Sequence, residues 1–350
     1  MKIRLSAVAL ATGIAVGAAI VSAGQQAGQG ASGAPSPPPP WAYVIAPPPA
    51  NPPAPRPAQP PADDPTPRHV PGSNVALTLR QVRDFINVPD WHPEDHPPMP
   101  DIVAHGRPPD VRFGCGYCHL PNGKGRPENA GVAGLPAAYI VQQMADYKNG
   151  LRKSSEPRMG PPALMLALAK NANDAEVKEA AEYFSRLKFT PWIKVVETST
   201  PPKSEIVGGM FMALPGGGTE PIGKRVLEMP EDRERAELRD SQSGFIAYVP
   251  VGSIKKGEDL VTTGGAKVMG GKIIAGKTIQ CSICHGQDLR GLGPVPGIAG
   301  RSPSYTARQL YDMQHGNRAG LGAELMKAVV ANLTEEDIIS IVAYTASRMP

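Results

Sequence analysis

Two short stretches decide the reading of this chain: Cys115-Gly116-Tyr117-Cys118-His119 and Cys281-Ser282-Ile283-Cys284-His285. Each is a C-x-x-C-H pattern, the attachment motif for c-type haem. Two residues between the cysteines let one helical turn present both sulfurs to the two vinyl groups of a single porphyrin. The adjacent histidine then lies under the iron as its proximal ligand. The motifs predict two covalently bound haem c groups, one on Cys115 and Cys118 and one on Cys281 and Cys284, with His119 and His285 as axial ligands. A zinc site would need the pairs to converge, yet 162 residues separate Cys118 from Cys281, against about 15–20 in close-set ribbons. A thioredoxin-like pair would need a βαβ context that neither motif has. Structural disulfides suit an exported chain but do not require a histidine after each pair.

Working outward, the motifs head two copies of one unit. An offset of 166 residues carries Cys115 onto Cys281, Ala133-Gly134 onto Ala299-Gly300, Tyr139 onto Tyr305, Gln143 onto Gln309 and Asp146 onto Asp312. It also carries Gly150 onto Gly316 and Arg152 onto Arg318, after which the offset falls to 161 and matches Leu164-Met165 to Leu325-Met326. Helices are predicted over Ala137–Asn149 and Ser304–His315, each closed by a glycine. Two more are predicted over Asn173–Leu187 and Thr334–Arg348, where Asn173 and Thr334 are good N-caps ahead of acidic first turns. Asp101-Ile102-Val103 resembles Asp259-Leu260-Val261, a short helix before each motif. Each unit reads helix, haem motif, helix, methionine loop, helix.

Each iron needs a sixth ligand or an open position. Met165 and Met326 lie eight residues before the caps Asn173 and Thr334, and that equivalence makes them the expected ligands. Met159, in Arg158-Met159-Gly160-Pro161, is the rival in the first unit. The plainer alternative is that such methionines only fill core gaps. Histidine–methionine ligation raises the potential relative to two histidines and closes the iron to substrate, so no catalytic residue is assigned.

The remaining chain frames these units. At 350 residues and 41 % hydrophobic, it is long enough for two domains. Aromatic residues are only 5 %, too few for the protein's own rings to fill two cores. Lys2, Arg4, the apolar run Leu5–Val21 and Val21-Ser22-Ala23 read as an export signal, 1–23. An uncleaved anchor is the competing reading, since the run is near the lower limit for spanning a bilayer. Seventeen of the 37 residues from Pro35 to Pro71 are proline. They predict a disordered, polyproline-like leader over 24–98, outside any packed fold, with Trp41, Tyr43, Val44 and Ile45 as an apolar island that could dock on a partner. Haem domains are expected at 99–192 and 255–350, with an inter-domain segment at 193–254. Trp91–Met99 concentrates histidine and carboxylate and reads either as a metal site or source of a haem ligand, or as a proline-stiffened loop packing on the first domain. Lys255, Lys256, Lys267, Lys272 and Lys277 form either a steering rim near the second motif or a solvated face. Arg152 and Arg318 are either haem-propionate partners or surface arginines. A net charge of +4 is too small and diffuse for a nucleic-acid binder.

On the motifs, the Ala-Gly…Tyr…Gln…Gly helices and the methionine-to-helix spacing, the chain resembles the dihaem class I c-type cytochromes, most like the cytochrome c4 type, over residues 99–190 and 255–350. The resemblance implies an all-α fold of two tandem cytochrome c domains related by an approximate two-fold. In such domains a backbone carbonyl after the motif often accepts from the proximal histidine; Pro296 fits that place in the second unit and Ala130 in the first. Two features depart from the family: the Pro-rich leader, and the insert Pro191–Ser253 with its charged stretch Glu231–Asp240 and strand-like Phe245–Val251. Eight extra Gly-rich residues precede the second motif and predict a hairpin within Lys267–Gln280. The fold expected is therefore all-α with a small irregular or β insert between the domains and before the second. The function implied is a periplasmic carrier of single electrons between a periplasmic dehydrogenase or quinol-oxidising complex and another cytochrome or terminal oxidase, free or as a subunit. Membrane contact would come only through a partner or an uncleaved anchor. The alternative is a dihaem enzyme such as a peroxidase; it needs one open iron, and a methionine at both repeat positions weighs against it.

Overall fold

The structure, a computed structural model, describes residues 37–45 and 64–350. The export signal expected at 1–23 and the rest of the leader lie outside these residues.

Ahead of the first unit, the single turn α1 (Leu79–Val82) is set by a capping box, in which Thr78 accepts from the Gln81 amide and Gln81 reaches back. The first unit follows as α2 (Asp101–Ala104), α3 (Cys115–His119), α4 (Ala137–Lys148), α5 (Gly160–Asn171) and α6 (Asp174–Arg186). A capping box between Asn173 and Glu176 starts α6, as its sequence predicts. Helix α3, which carries the motif, lies directly on α2. A Cβ at Gly114 would enter the Val103 carbonyl and the Val88 side chain, so only glycine permits the approach. Ile102, Val103, Ala180, Phe184 and Leu187 form the core of this unit.

The insert then builds a small mixed sheet. Strand β1 (Ile193–Glu197) pairs in parallel with β5 (Phe245–Val249), and β4 (Leu227–Pro230) pairs antiparallel on the other side of β5. Between them run the hairpin β2 (Ser204–Val207) and β3 (Met210–Ala213) and the short helix α7 (Arg233–Glu237). Phe245, Ala247 and Val249 are buried in the period-two pattern of a one-sided strand.

The second unit runs α8 (Ser253–Thr263), the hairpin β6 (Lys267–Met269) and β7 (Lys272–Ile274), α9 (Ser282–His285), α10 (Pro303–Gln314), α11 (Leu321–Val330) and α12 (Glu335–Ala346). Helices α8 and α12 cross at Gly257, where a Cβ would enter the Ser340 backbone carbonyl. Thr334 and Asp337 cap α12. The sheet of the insert packs on α12 beside α8, which leaves α12 buried from Asp337 to Ala346. The chain thus has two helical haem-motif units with a β insert between them and a β hairpin before the second motif. Among the described residues no helix is long and apolar enough to cross a membrane.

Two expectations fail. The methionines Met165 and Met326 do not lie in loops but within α5 and α11. Pro161 and Pro162 occupy the first turn of α5, where a missing amide hydrogen costs nothing, and strong helix formers follow. The leader is also not wholly outside the packed fold. Trp41, Ala42, Tyr43 and Val44 are buried, the first three in the core of the second unit. Tyr43 Oη donates to Asp312 Oδ1 at 2.6 Å, Trp41 Nε1 to Glu335 Oε1 at 2.8 Å, and Arg308 Nη1 to the Ala42 carbonyl at 2.8 Å. Val70, Val82 and Trp91 form a further cluster with Leu238 of the insert. Proline removes regular structure from such a segment, but aromatic side chains need only a groove.

Candidate haem sites

The first motif opens into a cavity of about 430 Å³, lined by Cys115, Cys118, His119 and, on the facing helix α5, Met165. His119 Nδ1 engages the Ala130 carbonyl at 2.8 Å. That bond makes Nδ1 the donor and leaves Nε2 as the free nitrogen, the arrangement a metal-bound imidazole requires. Burial holds the His119 pKa below the ordinary value, with the Ala130 bond acting in the opposite direction. Burial, then neighbouring Cys118, pushes the Cys115 thiol up to about 12. Met159 lies elsewhere, in the core shared with Tyr43 and the second unit. Met144 of α4 also lines the cavity; its counterpart at the 166 offset is Leu310, so Met165 is the lining methionine with a methionine counterpart.

The second motif repeats the pattern. His285 Nδ1 engages the Pro296 carbonyl at 2.7 Å, and burial again lowers the histidine pKa. Burial pushes Cys281 up to about 11. Met326 is half-buried against the core of its unit, in which Met313 is fully packed. His315 stacks on Tyr311 at 3.9 Å, with Nδ1 on the Tyr311 carbonyl.

The repeated residues meet at a seam between the units. Arg152 and Arg318 face each other across an isolated antiparallel bridge. Arg152 donates to Gln143 of its own unit at 2.9 Å and to Tyr305 and Gln309 of the other at 2.9 and 2.8 Å. Arg318 donates to Gln309 at 3.2 Å and crosses to Tyr139 and Gln143 at 2.7 and 2.8 Å. Both arginines are buried, so neither is a surface arginine. Their side-chain partners are neutral, and Arg318 Nε has none. Among the described residues no carboxylate engages either guanidinium, and two buried cations so placed fit an anionic group reaching the seam. The propionates of a bound haem would supply that charge, and Arg152, Tyr305 and Gln309 all line the first cavity.

A second cross-connection had no signal in the repeat, because the 166 offset pairs Arg301 with Leu135. Arg301 is buried and donates to the Gly131 carbonyl at 2.9 Å, the Ala133 carbonyl at 3.1 Å and the Gly297 carbonyl at 2.7 Å. Gly131 and Gly297 directly follow Ala130 and Pro296, whose carbonyls hold the two histidines. One guanidinium therefore ties together both histidine-orienting loops.

The histidines of Trp91–Met99 are engaged away from the first cavity. His92 Nε2 lies 3.0 Å from Asp240, and His96 contacts Asp90 and the Tyr183 hydroxyl. The segment packs on the insert as well as on the first unit. Of the five lysines, Lys255, Lys256 and Lys277 pair with Glu258, Glu336 and Asp337.

No family model matches the chain. A cytochrome c4 of Stutzerimonas stutzeri is 32 % identical over 143 residues, 37 % of this chain; the match spans 63 % of that protein, short of two thirds of its length. Cytochrome c-554(548) of Halomonas halodenitrificans is 38 % identical over 69 residues, 19 % of this chain and 83 % of that protein. A protein of Thiomonas intermedia named thiosulfate dehydrogenase electron acceptor is 24 % identical over 246 residues, 69 % of this chain and 81 % of its own length.

Proposed function

Because this chain belongs to the c-type cytochromes, as a cytochrome c4-like electron-transfer protein with two covalently bound haem c groups, we propose that it is a periplasmic carrier moving single electrons from a dehydrogenase or quinol-oxidising complex to a downstream cytochrome or terminal oxidase. It works free or as the electron-transfer subunit of such a complex. The name of the Thiomonas intermedia relative supports a dehydrogenase as donor. The reading takes 1–23 as the export signal, 24–98 as the leader, 99–192 and 255–350 as the haem domains and 193–254 as the segment between them.

In this reading Cys115, Cys118, Cys281 and Cys284 hold the two haems, with His119 and Met165 on the first iron and His285 and Met326 on the second. Haem c, when bound, supplies a one-electron Fe(III)/Fe(II) couple. The chain's residues set its conditions. Each histidine keeps its orientation through a carbonyl eleven residues on, and such a bond raises ligand basicity. A methionine sulfur favours the reduced state. The seam arginines Arg152 and Arg318 would neutralise propionate charge where the two units meet. The observation that carries the reading is this duplicated histidine–carbonyl pair joined through one shared, pseudo-symmetric seam. Two electron sites held in one rigid arrangement suit relay, and full axial ligation leaves no place for substrate.

The test is reduction of periplasmic extract from expressing cells, and of the purified holo-protein, by a thiosulfate dehydrogenase with thiosulfate. The reading predicts haem staining in the periplasmic fraction and uptake of two electrons per chain without hydrogen peroxide turnover. Peroxide turnover with one high-spin haem would move the protein to the peroxidase class.

A further inference from the structure

The two haem motifs are not equally open. In the first, Gly116 and Tyr117 are buried. Arg239 of the insert lies over the Tyr117 ring at 3.7 Å and donates to the Tyr117 carbonyl at 2.8 Å, while Phe85 packs edge-on against the same ring. The segments that depart from a bare pair of haem units thus close over the first motif. In the second, Ile283 between the cysteines is 62 % exposed.

The β6–β7 hairpin ends seven residues before this open motif, at Ile274. Its base is fixed: the Lys277 and Thr278 amides donate to the Gly264 carbonyl, Thr278 Oγ1 to the Val329 carbonyl and Lys277 Nζ to Asp337. Beyond the base every residue from Lys267 to Ile274 is exposed, and Val268, Met269 and Ile273 are between 61 and 81 % exposed. Val268 lies opposite Ile273 in the ladder, so one face of the ribbon is an apolar cross-strand pair. The other face carries Met269 and Ile274 with Lys267 and Lys272. A two-stranded ribbon without a covered face is marginal in water, and clustered large apolar side chains on a surface mark a contact site.

The charge pattern identifies the occupant. No aspartate or glutamate occurs from Leu260 to Gln287. Among the described residues, Lys267 and Lys272 have no ion-pair partner. A second copy would bring the same unpaired lysines and repel; the complementary face is apolar at its centre and acidic at its edge. We infer that the hairpin and the open side of the second motif form one docking surface for a redox protein whose contact face is apolar and ringed by carboxylates. The second haem is then the port for that partner. The inference rests on the electron-carrier reading above.

Stopped-flow electron exchange between the full holo-protein and plant plastocyanin, an acidic one-electron protein, tests it across ionic strength. Lys267→Glu with Lys272→Glu should slow the second-order rate about tenfold or more at low salt and flatten its salt dependence. Val268→Ser with Ile273→Ser should slow it with the salt dependence retained. The control pair Arg112→Glu with Lys188→Glu carries the same charge change on the first unit and should leave the rate within about twofold, as expected for charges outside the encounter surface. Unchanged rates in both hairpin variants, or equal slowing in the control, would overturn the inference. So would a wild type that reacts with hexacyanoferrate(III) but not with plastocyanin. Loss of a dimer in the Val268→Ser, Ile273→Ser variant without a rate effect would assign the face to a second copy instead. A wild type inert to both probes would bring down the electron-carrier reading itself.

Discussion

Replacing Arg301 by methionine tests the claim that one buried side chain fixes both histidine-orienting loops. Three carbonyls, of Gly131, Ala133 and Gly297, would lose a charged donor, each bond worth about 1.5–3 kcal/mol. Against this, burial pushes the Arg301 pKa down to about 10, and removing the cation relieves a strain of roughly 3 kcal/mol. The expected net destabilisation is about 2–5 kcal/mol, read from urea unfolding of the holo-protein. Redox titration gives a second readout that a merely structural role would not move. The oxidised haem carries one more positive charge than the reduced one, so losing a nearby cation should lower both midpoint potentials. Arg301→Lys keeps the charge but lacks the three-pronged reach; it should restore the potentials more fully than the stability. A methionine variant within about 0.5 kcal/mol of wild type, with both potentials unchanged, would refute the bridging role.

Three further outcomes follow from the packing. Met165→Ala should abolish the methionine–iron band of one haem. Met159→Ala should keep both bands yet cost about 2–5 kcal/mol as a core truncation, because Met159 is packed in the core of the second unit; near-infrared spectra separate the two. Tyr43→Phe removes the hydroxyl bond to Asp312 and should cost about 1–2 kcal/mol, with faster hydrogen exchange confined to residues 37–45 and their contacts. Burial would raise the Asp337 carboxyl, but hydrogen bonds from Lys277, Thr334 and Lys256 outweigh it and hold the group well below the usual carboxylate range. A depressed folded pKa contributes stability that is present above the unfolded value of about 4 and lost as pH falls below it. Asp337→Asn should therefore lower stability at neutral pH and flatten the loss below about pH 4, as followed by urea midpoints across pH.

The haem units were legible because covalent attachment imposes a fixed local pattern, and duplication doubled each signal. The caps Asn173 and Thr334 were readable for the same reason: capping is local chemistry. The seam was not. The matched residues Tyr139, Gln143 and Arg152 and their counterparts were visible as a repeat, yet their exchange of partners depends on how two units face each other. The stretch holding Met165 reads as a loop, whereas the prolines Pro161 and Pro162 in a first turn begin a helix, which is how Met165 came to lie on α5. The leader misled for a related reason, since its prolines argue against regular structure and say nothing about whether Trp41 and Tyr43 find a groove. Arg301 and Arg239 gave no sign at all, because the carbonyls of Gly131, Ala133 and Tyr117 that they reach are distant in sequence.

The most direct measurement is the optical spectrum of the purified, oxidised holo-protein with haem counted per chain. Two covalent haems are expected, both low-spin, with near-infrared intensity corresponding to two methionine-bound ferric irons. One haem per chain, or a high-spin share with only one methionine band, would contradict this.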